Sequence, residues 1–428
     1  MRSSCTLPSV TSRSLARSIF AGALCLLAGC AFGPRPEAVY FFEAKLDPAG
    51  PDFGRELASV TGEPLVSGNA CRLLENGKEI FDAMLDAIRG ARATINVETY
   101  IFQSDATGVR FARAIEERSR AGVRCRVLVD AWGSHTLSKT LEAEMKKAGV
   151  EFERFRPILL LHRLKNRTHR KILIVDGTVA FVGGQGFDDR WAGDADSPKH
   201  WHDVAVMVEG PAVARIQSVF AENWIEVRRP VPAGSGDYPE LAPRGEDDVM
   251  VLRSSFGERR SRAALGLNML LHAARKEILI ESAYFIPDAT TAGFLSDAAR
   301  RGVRVEILVP GVRNNLGYVR RVSRSTYGPL LEAGARIFEY RPTMMHAKIA
   351  EIDGIWSSVG SANIDSRSFF LNDEANVNVR SQRLAGDVAA LFARDRAKSD
   401  EITLAIWKGR SSWEKFVEAV LGLFASEL

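Results

Sequence analysis

The chain has little of three features that would place it at once in a familiar class of protein. Only five of its 428 residues are cysteines, too few for a disulfide framework or a cysteine-rich metal site. Its 57 basic and 53 acidic side chains leave a formal charge of only +4, so bulk charge favours no nucleic-acid partner. No apolar run reaches the ~20 residues that span a bilayer. What remains is an ordinary globular composition, with a length that predicts about two domains.

The first thirty residues have the pattern of a secretory signal. A basic start precedes a short apolar run at residues 19–27 and then small residues before Cys30. The end of this run resembles the lipobox of bacterial lipoproteins, which implies removal of residues 1–29 and lipidation of Cys30. A plain signal peptide or a poorly fitting anchor is the alternative.

Acylation of Cys30 would hold the mature chain on a membrane. We therefore expect a protein of the bacterial cell envelope, lipid-anchored on a non-cytoplasmic face of the inner or outer membrane. Residues 30–68 contain five prolines and no sustained period, which predicts a tether and lead-in. Cys71 and Cys125 would remain in the mature chain, but the apolar run around Cys125 is also consistent with simple burial, so we predict no disulfide.

One short motif, His-x-Lys-x4-Asp, occurs twice. Side chains alternate along a strand, so the histidine and lysine of each copy lie on the same face. Each aspartate falls on the opposite parity and begins an Asp-Gly pair typical of a hairpin turn, so we expect the aspartates to be structural. Two copies in matched contexts predict one active site built by two similar halves. The motif residues, which form the candidate catalytic set, are His169, Lys171, Asp176, His346, Lys348 and Asp353.

Helix and strand patterns repeat together with the motif. Strands that alternate with helices favour an α/β fold, with a central, mostly β sheet flanked by helices in each half. A turn-rich segment near residues 228–239 separates a first domain, residues 69–240, from a second, residues 241–428. We expect the active site at the pseudo-twofold interface between them. Residues 413–428 are predicted to form an amphipathic helix whose apolar side packs on the body.

Two histidines and two lysines suit the chemistry of a phosphodiester. Its anionic oxygens repel a nucleophile, so a catalyst needs fixed positive charge, a nucleophile and an acid for the leaving alcohol. One neutral imidazole attacks phosphorus, and the other, protonated, donates to the departing oxygen. The lysines stabilise the phosphoryl oxygens. Glycine turns after each motif predict phosphate-binding donors at Gly183, Gly184, Ser361 and Asn363.

A catalytic histidine needs a partner that fixes its tautomer, which is usually a carboxylate. Asp203 and Glu374 each follow one motif within a strand-like run, and they are the candidates, although spacing alone also fits surface acids. His200 and His202 lie beside Asp203, but no cysteine or fourth ligand is near, so we expect no metal and no cofactor.

At this point the residues resemble a known family, the phospholipase D superfamily, and most closely its bacterial cardiolipin synthase branch, over roughly residues 70 to 428. The resemblance implies two phospholipase D-like halves and phosphatidyl transfer from phosphatidylglycerol to a second lipid hydroxyl. It also implies that Asp203 and Glu374 orient the histidines, and that His169 is the nucleophile. The matching blocks are residues 169–177, 181–184, 201–203, 210–213, 284–288, 301–310, 346–348, 360–368 and 371–374.

Two departures from the family pattern affect these expectations. Gly186 stands where relatives usually have an asparagine, and the paired N-terminal transmembrane helices of the family have no counterpart. The expected partners are phospholipids, with phosphatidylglycerol first, and a membrane surface reached through the lipid anchor. A hydrolase that releases phosphatidic acid is the alternative function, since water can replace the lipid hydroxyl. A non-enzymatic lipid-binding protein is the alternative from another class.

Overall fold

Fifteen strands form one continuous sheet in a computed structural model, which describes residues 40–157, 166–255 and 261–422. The predicted signal, residues 1–29, and Cys30 lie outside the described residues. A separate two-stranded sheet joins β10 and β15. The strands are β1 (Val66–Glu75), β2 (Thr94–Thr99), β3 (Arg124–Asp130), β4 (Glu151–Phe155), β5 (Ile172–Val175), β6 (Val179–Gly183), β7 (Val204–Glu209), β8 (Asp247–Ser254), β9 (Glu277–Ser282), β10 (Phe285–Ile286), β11 (Arg304–Pro310), β12 (Arg336–Tyr340), β13 (Lys348–Ile352), β14 (Trp356–Gly360), β15 (Ile364–Asp365), β16 (Glu374–Arg380) and β17 (Ser399–Ile402).

The order of the strands shows the duplication. From the middle of the sheet outward, the first half runs β1-β7-β6-β5-β2-β3-β4 and the second runs β8-β16-β14-β13-β9-β11-β12, with β17 added at the edge. In both halves the three outer strands are parallel and the others antiparallel. Strands β1 and β8 pair antiparallel, so the two halves share one sheet. The α/β fold of two similar halves, predicted from the repeat, is confirmed.

Helices pack against the sheet, and its parallel strands are buried on both sides although one side of β2, β3 and β9 carries polar residues. Strand β2 is buried along its whole length, as expected for a strand between two helical layers. The helices are α1 (Phe53–Thr61), α2 (Asn76–Gly90), α3 (Ala106–Arg120), α4 (Lys139–Lys147), α5 (Val213–Val227), α6 (Arg262–Ala273), α7 (Ala289–Arg300), α8 (Gly317–Ser325), α9 (Tyr327–Ala333), α10 (Ser366–Phe370), α11 (Gln382–Ala397), α12 (Leu404–Lys408) and α13 (Ser412–Gly422). No helix in these described ranges is long and apolar enough to cross a bilayer.

The lead-in differs from the tether expected for residues 30–68. Its described part, from residue 40, contains helix α1, whose Phe53 and Leu57 belong to the core of the second half. Phe53 meets the ring of Trp356 edge to face, and the indole N–H of Trp356 donates to the carbonyl of Pro48 at 3.0 Å. Pro48, Pro51 and Pro64 therefore lie in a segment that is packed onto the protein, because its apolar side chains contact the core of the folded second half.

The C-terminal helix also differs from its expectation. Helix α13 packs on α8, and Leu421 contacts the small apolar cluster there. However, Trp413 and Phe416 remain 69% and 58% exposed, so the start of the apolar side faces solvent, and residues 423–428 of the predicted helix lie outside the described residues. The two rings stack on each other at a centroid distance of 5.7 Å. The cysteines Cys71 and Cys125 are buried and not bonded to each other.

Candidate active site

The two motif copies meet at one cavity of about 600 Å³. His169 and Lys171 lie just before β5, and His346 lies just before the equivalent strand β13. These three side chains line the cavity together. Strand alternation alone placed each histidine and lysine on one face, and the twofold arrangement of the halves turns both faces toward the same space.

Each histidine is held by a carboxylate from the other half. His169 Nδ1 lies 2.9 Å from Glu374 Oε1 and 3.0 Å from Oε2. His346 Nδ1 lies 2.7 Å from Asp203 Oδ2. A carboxylate at Nδ1 makes this nitrogen the N–H donor, which leaves the Nε2 lone pair of a neutral ring available for chemistry. The structure thus brings together all four predicted residues, with the carboxylates crossed between the halves.

The two carboxylates are themselves fixed, but by different groups. Trp191 donates its indole N–H to Asp203 Oδ2 at 2.7 Å. Ser361 donates its hydroxyl to Glu374 Oε2 at 2.5 Å. Because both carboxylates are fully buried, these donors offset part of the cost of removing the charges from water. Ser361 was predicted to bind phosphate, but its hydroxyl already serves Glu374.

Each lysine lies beside the histidine of its own motif. Lys171 Nζ donates to the main-chain carbonyl of His169 at 2.6 Å and lies 5.5 Å from the centre of the Tyr100 ring. Lys348 Nζ donates to the carbonyl of His346 at 2.5 Å and lies 3.0 Å from Nδ1 of its ring. Both amines are therefore held close to the imidazoles, where they also favour a bound anion.

Burial and the lysines keep both imidazoles neutral. Desolvation lowers the pKa of His169 to about 4 and of His346 to about 3, with Lys171 and Lys348 adding to the effect and the carboxylates opposing it. Burial likewise lowers the pKa of Lys171 to about 7 and of Lys348 to about 8. Neutral imidazoles are nucleophilic, and a bound phosphodiester anion would raise all four pKa values by supplying the missing negative charge.

The carboxylates remain ionised in this environment. Burial alone would raise the pKa of Asp203, but His346 and Lys348 outweigh it and leave this pKa below its ordinary value. The pKa of Glu374 is also lowered, because His169 and Lys171 outweigh burial. Each carboxylate is thus suited to stabilise an imidazolium when one forms.

The motif aspartates are at the far ends of the strands, in hairpin turns. Asp176 and Asp353 both have a left-handed backbone, with φ of 53° and 59°. Asp176 accepts hydrogen bonds from the backbone N–H groups of residues 92, 93 and 94, and Asp353 does the same for residues 275, 276 and 277. Both aspartates therefore stabilise the turns, as expected from their position on the opposite side of the strand from the histidine and lysine. Neither lines the cavity.

The residues predicted to bind phosphate do not form one set in the structure. Asn363 lines the cavity and its buried Oδ1 has no hydrogen-bond partner among the described residues, so this oxygen can accept a hydrogen bond from a ligand, whereas a phosphate oxygen would need the amide N–H groups. Gly183 and Gly184 do not line the cavity; a Cβ at Gly184 would overlap the carboxylate of Asp203, so this glycine makes room for it. At the position equivalent to Asn363, Gly186 lines the cavity, where a Cβ would approach Ile101 and Trp191 to 3.0–3.2 Å.

Sequence reasoning missed the aromatic walls of the site. Tyr100 meets the His169 ring edge to face at 5.2 Å, and Trp201 lies 5.3 Å from the His346 ring. Tyr284, which follows β9 one position later than Tyr100 follows β2, lies 6.5 Å from His346. The signal was present in the repeat, since a tyrosine follows the second strand of each half, but an aromatic residue after a buried strand is more often interpreted as core.

Comparison with known proteins agrees with this geometry. A sequence profile of the family "Cardiolipin synthase, PLD-like domain" matches residues 84–224 and 267–396. The chain is 32% identical over 369 residues to the cardiolipin synthase of Listeria monocytogenes, covering 85% of this chain and 76% of the relative. It is 32% identical over 375 residues to cardiolipin synthase 1 of Bacillus cereus, covering 85% and 74%.

A solved structure shares the fold. The phosphatidylserine synthase of Haemophilus influenzae superposes with a TM-score of 0.68, over 87% of this chain and 96% of that enzyme, at 14% sequence identity. At this identity the likeness concerns the fold alone, which places the duplicated sheet in the same architecture.

Proposed function

Because the chain belongs to the cardiolipin synthase family with phospholipase D-like domains, we propose that it transfers a phosphatidyl group from phosphatidylglycerol to the hydroxyl of a second lipid. The observation that carries this proposal is the crossed arrangement, in which two neutral imidazoles face one cavity and each is oriented by a buried carboxylate. One imidazole can act as the nucleophile and the other as the acid and base, so a two-step displacement at phosphorus needs no further catalytic group.

In the first step, Nε2 of His169 attacks phosphorus and the bond to the glycerol oxygen breaks. His346, protonated once the anion is bound, gives its Nε2 proton to that oxygen, and glycerol leaves. In the second step, the hydroxyl of the second lipid gives its proton to His346 and attacks the phosphohistidine, which regenerates neutral His169. Lys171 and Lys348 offset the charge on the phosphoryl oxygens in both transition states.

The assignment of His169 as the nucleophile rests on resemblance, since the halves are nearly equivalent. The structure makes them chemically different in detail: Ser361 supports the Glu374 side and Trp191 supports the Asp203 side. The aromatic residues Trp191 and Trp201 both lie close to the His346 ring, at 5.2 and 5.3 Å. Such apolar neighbours disfavour a lasting imidazolium and fit a group that holds its proton only while the substrate anion is present.

Hydrolysis is the alternative outcome of the same chemistry. If water reaches the phosphohistidine before a lipid hydroxyl, the product is phosphatidic acid. The apolar rim of the cavity favours the lipid acceptor: Trp132 and Tyr318 line it and are 52% and 45% exposed. Exposed aromatic side chains at a cavity mouth are typical of contact with a lipid interface.

We also propose that the chain works at a membrane to which Cys30 tethers it, on a non-cytoplasmic face of the bacterial envelope. The lipobox-like end of the N-terminal segment supports this location, and so do the exposed Trp413 and Phe416 on helix α13, which packs against the rim helix α8. Cys30→Ser is expected to move the protein from the membrane fraction to the soluble fraction and to abolish incorporation of labelled palmitate; retention of both in the variant contradicts the anchor.

Product analysis tests the activity. The full chain, mixed with phosphatidylglycerol vesicles, is expected to produce cardiolipin and free glycerol by mass spectrometry, and His169→Ala and His346→Ala to produce neither. His272→Ala, the same change at a histidine outside the cavity, should behave as wild type. Phosphatidic acid instead of cardiolipin would identify a hydrolase, and absence of any product from the wild-type chain would overturn the enzymatic proposal in favour of lipid binding.

A further inference from the structure

Three buried side chains from different elements meet directly behind His346. His202 precedes β7, Glu281 lies in β9 and Asp395 lies in α11, and they are 2%, 1% and 2% exposed. His202 Nε2 lies 2.9 Å from Asp395 Oδ2 and 3.7 Å from Glu281 Oε2, and one ligand atom from each residue lies within 4.8 Å of the others. None of these residues takes part in the mechanism derived above.

Their polar atoms are unusually poorly satisfied. Both carboxylate oxygens of Glu281 have no hydrogen-bond partner within the described part of the chain, and Oδ2 of Asp395 faces only His202 Nε2 there. A buried carboxylate without partners is costly, so buried charges are as a rule paired or bound to a metal ion. Two buried carboxylates that share one imidazole carry more negative charge than a single proton on that ring neutralises, which indicates that a further positive charge belongs between them.

The histidine is oriented for this purpose. Its Nδ1 lies 2.8 Å from the side-chain oxygen of Asn76, an acceptor that fixes the N–H on Nδ1. Nε2 then faces the two carboxylates, and either a proton or a metal ion must lie between this nitrogen and Asp395 Oδ2, 2.9 Å away. A metal-bound histidine usually donates its other ring N–H to an oxygen in this way, since the hydrogen bond sets the tautomer and the direction of the ring.

The duplicated fold provides an internal comparison. Glu98 holds the place of Glu281 in the first half, since it pairs with the residue after Lys171 as Glu281 pairs with the residue after Lys348. Thr168 and Asn223 donate hydrogen bonds to Glu98, and the buried cation Arg170 interacts with it. The residue equivalent to Arg170 in the second half is Ala347. The second half therefore lacks the arginine whose positive charge offsets the buried glutamate of the first half.

From these observations we propose that His202, Glu281 and Asp395 bind a divalent transition-metal ion of the zinc type. Ligands about 2.0–2.2 Å from one ion lie about 3–4 Å from each other; His202 Nε2 is 3.7 Å from Glu281 Oε2 and 2.9 Å from Asp395 Oδ2, so a small outward movement of Asp395 would fit the ion. A divalent ion with a neutral imidazole balances the two carboxylates, whereas a proton on the imidazole leaves one negative charge unbalanced. The imidazole ligand favours zinc-like ions over magnesium or calcium, which prefer oxygen ligands alone.

The ion would support the active site without touching the substrate. The main-chain N–H of His202 donates to the carbonyl of Met344 at 2.9 Å, and its carbonyl accepts from the N–H of His346 at 2.6 Å. His202 also directly precedes Asp203, the carboxylate that orients His346. An ion held by β9 and α11 of the second half would therefore fix the first-half segment that carries Asp203. This proposal departs from the sequence-based expectation of no metal, which considered His202 together with His200 and Asp203 and not with Glu281 and Asp395.

Metal analysis of the untagged full chain tests the proposal. Protein purified with zinc sulfate in the medium and dialysed is expected to contain about one zinc ion per chain by plasma mass spectrometry. Stripping with a chelator should lower the melting temperature by several degrees, and adding zinc should restore it. Metal at background level together with no shift on adding zinc would overturn the proposal, and a proton on His202 would then be the occupant.

Two matched variants locate the site. Glu281→Gln removes one ligand charge with little change of shape and is expected to lose the bound zinc and the zinc-dependent shift. Glu98→Gln, the same change at the equivalent position beside Arg170, should keep both. Equal zinc content in the two variants would place any bound metal elsewhere and contradict the assignment. Because the readouts are metal content and melting temperature, the test is independent of whether the proposed transferase activity is found.

Discussion

Glu374, from the second half of the chain, holds Nδ1 of His169 in the first half at 2.9 Å. The reciprocal contact joins Asp203 of the first half to His346 of the second at 2.7 Å. A histidine depends on its carboxylate for tautomer and orientation. Each half therefore lacks the carboxylate that its own histidine needs and obtains it from the other half. The cavity is therefore one site rather than two half-sites placed side by side.

Removing either carboxylate charge should reduce turnover more than it reduces stability. Glu374→Gln is expected to lower kcat by roughly 10²–10⁴-fold, because the amide no longer stabilises the imidazolium of the transition state. Asp203→Asn should have a similar effect. Rates of cardiolipin and glycerol release are the measurement, with the exposed Glu332→Gln as the control. A loss confined to KM in both variants would show that the carboxylates serve binding instead.

Trapping the covalent intermediate should identify the nucleophile. Rapid denaturation in alkali during turnover preserves phosphohistidine, and peptide mass spectrometry is expected to find the added group on the peptide containing His169. His346→Ala should still form this adduct with a substrate whose leaving group needs no acid, whereas His169→Ala should not. An adduct on His346 alone would reverse the assignment of the two histidines.

Gly184 should be irreplaceable for reasons of space. A Cβ there would overlap the carboxylate of Asp203, so Gly184→Ala is expected to displace this carboxylate, to cost about 1–3 kcal/mol of folding free energy and to impair His346. Gly386 provides the comparison, since a Cβ there meets nothing within 4 Å and the residue lies within helix α11. Gly386→Ala should raise stability by up to about 1 kcal/mol. Urea unfolding and activity assays check both; an active, stable Gly184→Ala enzyme would contradict the argument.

The aspartates of the motif should matter for folding only. Asp176→Ala removes three backbone hydrogen bonds from a turn with positive φ, at a cost of about 1–3 kcal/mol. Asp353→Ala should act in the same way. Asp176→Asn should lose less, because asparagine tolerates the left-handed conformation and keeps one acceptor oxygen. Melting temperature and kcat are measured together below the melting transition; a fall in kcat with unchanged stability would restore a catalytic role.

Stability should rise with pH in the neutral range. The folded protein lowers the pKa of Lys171 from 10.5 to about 7, so between these values the unfolded chain binds more protons than the folded one. Unfolding free energy therefore increases as pH rises through this window and falls again as pH drops toward 7. Lys171→Met is expected to flatten this slope, while the exposed Lys147→Met leaves it intact. Equal slopes for wild type and Lys171→Met, from urea melts at several pH values, would contradict the buried charge.

Much of this site was accessible from the sequence, because a duplication supplies its own check. The repeated motif gave the histidines and lysines, and strand parity separated them from Asp176 and Asp353, which the structure places in turns. The alternation of strands and helices gave the repeated sheet order. Asp203 and Glu374 were found by their position in strand-like runs. In each case a local periodicity was sufficient, since it depends on neighbouring residues alone.

What the sequence did not reveal depends on contacts between distant segments. Spacing along the chain does not say that Asp203 meets His346 rather than His169. Helix α1 was not predicted, because the prolines around it suggested a tether. The burial of Phe53 and Leu57 comes from residues of the second half, which lie far away in the sequence. The role of Gly184 follows from the approach of Asp203, which no local pattern records. The cluster of His202, Glu281 and Asp395 likewise needs three elements at once.

The crossed carboxylates restrict how the two halves can diverge in sequence after the duplication. After duplication, two copies of a domain are free to diverge when each is complete in itself. Here a substitution at residue 374 is felt at His169, and one at residue 203 is felt at His346, so neither copy is able to drift alone. A single substitution at either carboxylate is therefore expected to inactivate the whole site. For the same reason, the two halves have to be kept together when the protein is engineered.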